Sequence, residues 1–350
     1  MSTLIPHKRC SGALFGLAFG DALGKATECL DVESILTHFP PDGPRDLTGN
    51  PALVTDDTQM TIAVGEALLA IAQPYTPSRL EPALRKTLVD WSRSPENNRA
   101  PGSTCLAACE GLERGLPWQQ ATVKKSKGCG ATMRVAPVGL LWFGQESEAR
   151  HERAALAQFQ AALTHGHPTA LAASDLTAAA IADLVAGGDP PGLPQRLRSY
   201  ALSQRTVYHA DWLGPLWQRV GVNSPQEFIV RGWDECLKAL DRLEAALHKP
   251  DRSSDPCHCT GAGWIAEEAL ATGLLCFLLS PDDPVTAIRH GAVTSGDSDS
   301  LACLAGAFAG GHLGLDAWPT EWRERIEYRE TLARLGRAWD EISFILGLTH

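Results

Sequence analysis

The sequence predicts an all-α protein. Apolar residues recur at i, i+3, i+4 spacing along most of the chain, no stretch alternates polar and apolar residues as a half-buried strand would, and turn signals do not recur at hairpin spacing. With 350 residues, 44% of them hydrophobic, the chain can bury a substantial core. None of its Pro- and Gly-marked breaks has the look of an interdomain linker, and acidic motifs near both ends need each other. Residues 1–350 are therefore expected to form one domain.

The first helix is expected over Lys8–Leu23. Gly12, Gly16 and Gly20 fall every four residues along it and Gly24 follows, so they share one face on which a second helix backbone can approach. Glycine lowers helix propensity, and tight packing must offset that cost. The next helix, Asp57–Ala72, carries the stripe Met60, Ala63, Val64, Ala67, Leu68 and Ile71 and opens on good N-terminal residues, Asp57 and Thr58. Further helices are expected at Pro82–Ser92, Cys105–Gly111, Arg150–Leu163, Ala170–Val185, Leu193–Ser203, Gln226–Leu247, Ile265–Leu279 and Ser300–His312, and a last one over Glu321–Leu346. Loops are marked at Ser94–Gly102, at Gly187–Pro191 and at His248–Gly263, the last long enough to be a flap or a mobile segment.

Composition narrows the function classes. A net charge of -10 argues against a broad nucleic-acid footprint or an anionic membrane surface, leaving only a local basic patch at Lys124, Lys125 and Lys127. The first nine residues lack the apolar core of a secretory signal, and the apolar run Ala13–Ala22 is too short to span a bilayer. Ten cysteines, several inside apolar helical patterns, read most simply as buried free thiols in a reducing cytoplasm. A cytoplasmic protein is the expectation.

Two short acidic segments, about 240 residues apart, carry the chemistry. One is Thr55-Asp56-Asp57-Thr58; the other is Gly296-Asp297-Ser298-Asp299-Ser300. Each places two carboxylates and hydroxyls at the start of a helix. Adjacent carboxylates repel, which a helix N-terminus or a cation relieves. Taken singly, each segment fits an ordinary N-cap as well as a site. Together they supply an all-oxygen donor set without His or Cys, the set of a hard cation such as Mg²⁺ or Mn²⁺. An extended backbone would point Asp297 and Asp299 the same way. The spacing is not that of an EF-hand. A third segment, Ser126 to Arg134, holds Gly128 and Gly130 ahead of an apolar run. It suits either a plain tight turn or a loop whose N–H groups approach a phosphate, and it is not a Walker motif.

These segments, in this order, resemble the ADP-ribosylglycohydrolase family, which includes the dinitrogenase reductase-activating glycohydrolases. The matching residues are Gly12-Ala13-Leu14-Phe15-Gly16-Leu17-Ala18-Phe19-Gly20-Asp21-Ala22-Leu23-Gly24 with Glu28; Thr55-Asp56-Asp57-Thr58; Arg99-Ala100-Pro101-Gly102; Lys127 to Pro137; Thr164-His165; Gly261-Ala262-Gly263-Trp264 with Glu267-Glu268-Ala269-Leu270; and Ser295 to Ser300. The resemblance implies a compact orthogonal helical bundle with a binuclear cleft for two Mg²⁺ ions, Mn²⁺ being the other candidate. It implies metal ligands Thr55, Asp56, Asp57, Asp297, Asp299 and Ser300, the last a Thr in many members. It implies substrate contacts from Gly128, Cys129, Gly130, Ala131, Thr132 and Met133 on the phosphates and from His165, with Gly261, Gly263 and Trp264 at the distal ribose. Many members have Asn in place of Cys129.

The implied reaction is hydrolysis of the bond between ADP-ribose and an acceptor, at C1″ of the distal ribose. Asp56 or Asp57 is the first candidate for handling the water, and Glu28 the second. Glu28 reads equally as a capping glutamate, Trp264 equally as a rim or core aromatic, and His167 as structural. The substrate is expected to contain ADP-ribose, on a protein side chain or a small molecule, with no nucleic acid or membrane partner. The alternatives are a catalytically weak ADP-ribose-binding protein and a two-metal phosphohydrolase of such a nucleotide. Some arginine-specific members carry an acid just before the Gly matching Gly102; here that segment is Ala100-Pro101-Gly102, which leaves the acceptor open. Cys257-His258-Cys259 lacks the ligand count and spacing of a zinc site and is expected to be a flexible loop with incidental thiols.

Overall fold

A computed structural model of the chain describes residues 8–141 and 147–345. Met1–His7 and Leu346, the expected end of the last helix, lie outside the described residues. The helices are α1 (Arg9–Gly24), α2 (Val32–His38), α3 (Asp56–Leu69), α4 (Pro77–Arg93), α5 (Ser103–Glu113), α6 (Trp118–Ala121), α7 (Ala136–Leu140), α8 (Ser147–Ala162) and α9 (Pro168–Val185). They continue as α10 (Leu193–Gln204), α11 (Ala210–Leu213), α12 (Pro225–His248), α13 (Cys257–Thr260), α14 (Ala266–Leu278), α15 (Pro284–Ala292), α16 (Ser298–Leu313), α17 (Thr320–Arg325) and α18 (Arg329–Ile345). Among the described residues there are isolated β-bridges but no sheet, so the all-α expectation holds.

The centre of the molecule is the antiparallel seam between α1 and α16. Every residue from Cys10 to Gly24 is buried, as is α16 from Ser298 to Gly311. The four glycines of α1 explain how. A β-carbon on Gly12 would lie 2.4 Å from the Gly310 carbonyl oxygen, on Gly16 2.3 Å from that of Gly306, on Gly20 2.0 Å from that of Ala302, and on Gly24 2.4 Å from that of Ser298. Gly306 and Gly310 return the contact on the carbonyls of Gly16 and Gly12. The expected close-approach face is thus filled by α16, backbone against backbone.

Around this seam pack α3, α9, α14 and α15, and buried apolar side chains from Cys10 to Trp339 join in one cluster. Among the described residues, α9 is the helix long and apolar enough to cross a membrane, yet it is 83% buried inside the fold, as a core helix is.

Three expectations are corrected. The last helix is two, α17 and α18, broken where Ala52 pairs with the chain: its N–H bonds the Arg325 carbonyl at 2.8 Å and its carbonyl accepts the Glu327 N–H at 3.0 Å, with Tyr328 at φ +55°. Helix α4 starts at Pro77, the first-turn position that suits proline, and runs through Pro82. The loop His248–Gly263 contains α13 and is tied down: the buried Asp255 carboxylate accepts the Cys257 N–H at 3.0 Å, the Ser295 N–H at 3.2 Å and the Ser295 hydroxyl. Helices α2 and α15, which the apolar pattern did not predict, begin on the caps Asp31 and Asp283.

Candidate active site

The two acidic segments meet because the helices they start are held together through α1. Thr55 is the N-cap of α3 and its hydroxyl accepts the Asp57 N–H at 3.4 Å. Asp56 and Asp57 then occupy the first turn. Asp297 is the N-cap position of α16, with Asp299 and Ser300 in the first turn, so the expected extended backbone there is a helical turn instead. At the C-terminal end of α1 sits Asp21, fully buried, a residue to which the sequence reading gave no role. Its carboxylate accepts the N–H of Thr55 at 2.9 and 3.0 Å, the N–H of Thr58 at 3.1 Å and the Thr58 hydroxyl. Asp21 therefore ties the start of α3 to α1, while the glycine seam ties the start of α16 to the same helix. An ionisable residue inside an otherwise apolar, Gly-rich helix was the available signal.

The result is a cleft of about 240 Å³ lined by Glu28, Asp56, Asp57, Asp297, Asp299 and Ser300 on one side, and on the other by Gly128, Cys129, Gly130, Met133, His165 and Trp264. Among the described residues, no lysine or arginine lines it. One carboxylate oxygen from each of Glu28, Asp297 and Asp299 lies within 4.8 Å of the others. Asp56 accepts the Gly102 N–H at 3.1 Å. The Thr55 hydroxyl meets Asp57 Oδ2 at 3.2 Å, while Asp57 Oδ1 is buried with no hydrogen-bond partner.

Crowded buried carboxylates hold their protons. Burial, reinforced by Asp299, pushes Asp21 and Glu28 up to about 7. Burial pushes Asp56 up to about 8 against the pull of the Gly102 N–H. Asp57 and Asp297 are raised well above the usual carboxylate range by burial and then by Asp299, and Asp299 is raised by burial. Such a cluster is relieved by taking protons or by taking cations. Its hard oxygen donors, the orphaned Asp57 Oδ1 and the lack of a lysine or arginine lining it among the described residues fit a divalent cation such as Mg²⁺ or Mn²⁺.

The opposite wall is built by pairing the Gly128 loop with the Gly261 segment. The Ala266 N–H bonds the Lys127 carbonyl at 2.9 Å and the Cys129 N–H bonds the Trp264 carbonyl at 3.2 Å. Lys127 Nζ donates to Glu235 at 2.8 Å and to Glu267 at 2.5 Å, clamping the loop to α12 and α14. The Ala262 carbonyl accepts the Asp297 N–H at 2.8 Å. The thiol of Cys129 donates to Asp297 Oδ2 at 2.9 Å; burial first, then the proximity of Asp297 and Asp57, raises that thiol well above its ordinary value.

Not every expected contact faces the cleft. The side chains of Ala131 and Thr132 are fully buried and turn to the core, where Thr132 Oγ1 lies 3.5 Å from the Ser174 hydroxyl. Gly261 and Gly263 do not line the cleft; each holds a positive φ against a neighbouring side chain, Glu268 and Leu301 respectively. Both pairs shape the wall from behind. Trp264 lines the cleft and is 45% exposed, which places it at the rim rather than in the core. His167 caps α9, accepting the Thr169 N–H at 3.2 Å, a structural role. Within Cys257-His258-Cys259, Cys259 is exposed and His258 Nε2 stands 3.9 Å from Asp255, and these residues form no metal-ligand cluster among the described residues.

A family model described as ADP-ribosylglycohydrolase matches residues 2–344. Relatives include ADP-ribosylarginine hydrolase Tri1 of Serratia proteamaculans, 26% identical and covering 95% of this chain and 80% of its own. The ADP-ribosyl-[dinitrogen reductase] glycohydrolase of Rhodospirillum rubrum is 25% identical over 92% of each chain. Human ADP-ribosylhydrolase ARH3 is 25% identical over 92% of this chain and 90% of its own. A solved structure titled ADP-ribosylglycohydrolase-related protein complex superposes with a TM-score of 0.66 at 22% identity, over 97% of this chain and 99% of that one, a likeness of fold.

Proposed function

The chain belongs to the ADP-ribosylglycohydrolase family, and on that premise we propose that it is a metal-dependent hydrolase releasing ADP-ribose from an ADP-ribosylated side chain or small molecule. The observation that carries this reading is the meeting of four aspartates, from segments about 240 residues apart, in one cleft that no lysine or arginine among the described residues lines.

In this reading Thr55, Asp56, Asp57, Asp297, Asp299 and Ser300 hold two Mg²⁺ or Mn²⁺ ions. When bound, such ions orient ribose hydroxyls and make a water a better nucleophile. The protein's own groups do the rest. Asp56, which lines the cleft with one oxygen bonded by the Gly102 N–H, accepts the proton of the water attacking C1″. The clustered carboxylates stabilise positive charge as the glycosidic bond lengthens. Glu28, half-buried at the lip, is placed to exchange protons with solvent. The Gly128–Gly130 turn and His165 receive the phosphates, and Trp264 flanks the sugar at the rim. Relatives are named for ADP-ribosylarginine and for ADP-ribosyl-[dinitrogen reductase], and the Ala100-Pro101-Gly102 wall carries no acid that would pair with a guanidinium.

The test is a product assay with Mg²⁺ across arginine-linked, serine-linked and small-molecule ADP-ribosyl substrates. Release of ADP-ribose supports the proposal. Release of AMP, or no release from any linkage, overturns it.

A further inference from the structure

Among the described residues, one cation is fully buried without a carboxylate partner. Arg134 follows the Gly128–Met133 loop and has no exposed surface. Its Nε donates to Gln160 Oε1 at 2.9 Å; its Nη2 donates to the Gln160 carbonyl at 2.8 Å and to Thr164 Oγ1 at 2.9 Å; its Nη1 lies against the sulfurs of Met60 and Cys105 at 3.9 and 3.8 Å. Burying a guanidinium among neutral groups is costly, and a merely structural role is met more cheaply by an apolar side chain.

What the guanidinium fixes is the direction of a hydrogen bond. Arginine has protons to give and none to accept, so Thr164 Oγ1 is an acceptor toward it. The single hydroxyl proton of Thr164 then has two destinations: the Ala161 carbonyl at 3.4 Å, at the limit of a hydrogen bond, or His165 Nδ1 at 2.8 Å. The short bond takes it. Nδ1 is thereby the bare nitrogen, and a neutral imidazole must carry its proton on Nε2. Electrostatics agree: the bare nitrogen is the negative end of the ring dipole, and it points to the side on which Arg134 lies. Burial, with the charge of Arg134 second, lowers His165 to about 3, so the ring is neutral.

The other end of the ring opens on the cleft. His165 lines it together with Gly128 and Gly130. A β-carbon on Gly128 would lie 3.4 Å from Nε2, and one on Gly130 would lie 3.2 Å from Cε1 and 2.8 Å from the Cys105 sulfur. Glycine at both positions keeps a β-carbon from crowding this edge of the ring, where it faces the cleft.

We propose that Arg134 and Thr164 are positioning residues that lock His165 in its Nε2–H tautomer, making it a neutral hydrogen-bond donor to an acceptor oxygen held against the Gly128–Gly130 turn. The identity of that oxygen, a phosphate oxygen of ADP-ribose, rests on the function proposed above; the tautomer does not. A neutral donor grips a phosphate oxygen without introducing a cation that competes with those the acidic wall holds. The locked ring also rejects any ligand that presents a donor at this point.

The experiment reads the tautomer directly. In protein labelled with ¹⁵N-histidine, long-range ¹H–¹⁵N spectra separate protonated from bare ring nitrogens, and His165→Gln assigns the signals. The wild type is expected to show Nε2 protonated and Nδ1 bare. Thr164→Val should give a tautomer mixture and Thr164→Ser should restore the lock. ADP-ribose titrated by calorimetry should bind Thr164→Val roughly tenfold more weakly and Thr164→Ser like the wild type. A protonated Nδ1 in the wild type, or a tautomer untouched by Thr164→Val, overturns the proposal. Should Thr164→Val fail to fold, the wild-type spectrum alone decides. If ADP-ribose does not bind the wild type, the proposed function falls while the spectra still decide the tautomer.

Discussion

Gly20 and Ala302 stand so close across the central seam that a β-carbon on Gly20 would come within 2.0 Å of the Ala302 carbonyl oxygen. The contact lies one residue before Asp21 and three residues after Asp299. The spacing of the two halves of the cleft is therefore set by main chain meeting main chain, which has no rotamer with which to adjust.

Gly20→Ala is expected to destabilise the protein. Alanine favours a helix by about 1 kcal/mol over glycine, so propensity alone predicts a gain. Overpacking against a backbone carbonyl costs about 1–3 kcal/mol or more and should win. Urea denaturation checks the sign: a more stable variant would show that the seam yields.

Asp21→Ala leaves the N–H groups of Thr55 and Thr58 and one hydroxyl without their acceptor. The loss should be about 2–4 kcal/mol, set by unsatisfied buried donors. Loss of divalent-cation binding is expected alongside, measured by calorimetry on folded protein. Unchanged cation affinity would remove Asp21 from any role in shaping the site.

Without divalent cations, stability should fall as pH rises. Asp21, Glu28 and Asp56 have folded values of about 7, 7 and 8, above those of ordinary carboxyls. Between roughly pH 4 and pH 8 the folded state then binds more protons than the unfolded one, and the stability these groups contribute at low pH is lost as pH passes through the folded values. Mg²⁺ should oppose the loss, so the gain in melting temperature on adding it should widen from pH 5 to pH 8. A melting temperature equally insensitive to Mg²⁺ at both pH values would contradict the cation reading of the acidic cluster.

Asp57→Asn should lower ADP-ribose release at least a hundredfold while leaving the helical circular dichroism in place, since Asp57 supplies an orphaned buried oxygen in the cleft. A rate within a few-fold of wild type would exclude Asp57 from the chemistry.

Lys127→Met strands Glu267, a buried carboxylate whose one partnered oxygen faces Lys127. A cost of about 2–4 kcal/mol is expected, and the double variant Lys127→Met/Glu267→Leu should recover much of it. Recovery separates a buried ion pair from a surface one, whose removal would cost under about 1 kcal/mol.

Much of this architecture could be read from residue order. The stripe Met60 to Leu68, the four-residue glycine repeat and the paired acidic segments are local patterns, and each element lies where its pattern predicts. What was not legible depends on partners distant in sequence. Asp21 looks like an interruption of an apolar helix until Thr55 and Thr58 arrive beside it. The break at Tyr328 is imposed by Ala52, which no periodicity near residue 328 reveals. The polar stretch before Gly263 resembles a free loop because the group that pins Asp255 is Ser295. Arg134 reads as one more basic residue; only its three-dimensional neighbours show a buried charge.

The seam between α1 and α16 also imposes an order of events on synthesis. The first of these helices emerges from the ribosome with a face that only the second can cover, and at cellular elongation rates the second follows on the order of half a minute later. Throughout that interval the Gly12–Gly24 face is open, and the first acidic segment is held by Asp21 and the Gly102 N–H without its partner segment. Ribosome-bound chains ending before Ser298 should be cut readily within α1 by added protease, and chains extended well past Leu313 should resist. Resistance in the shorter chains would mean that some other part of the nascent protein shields that helix until its partner is made.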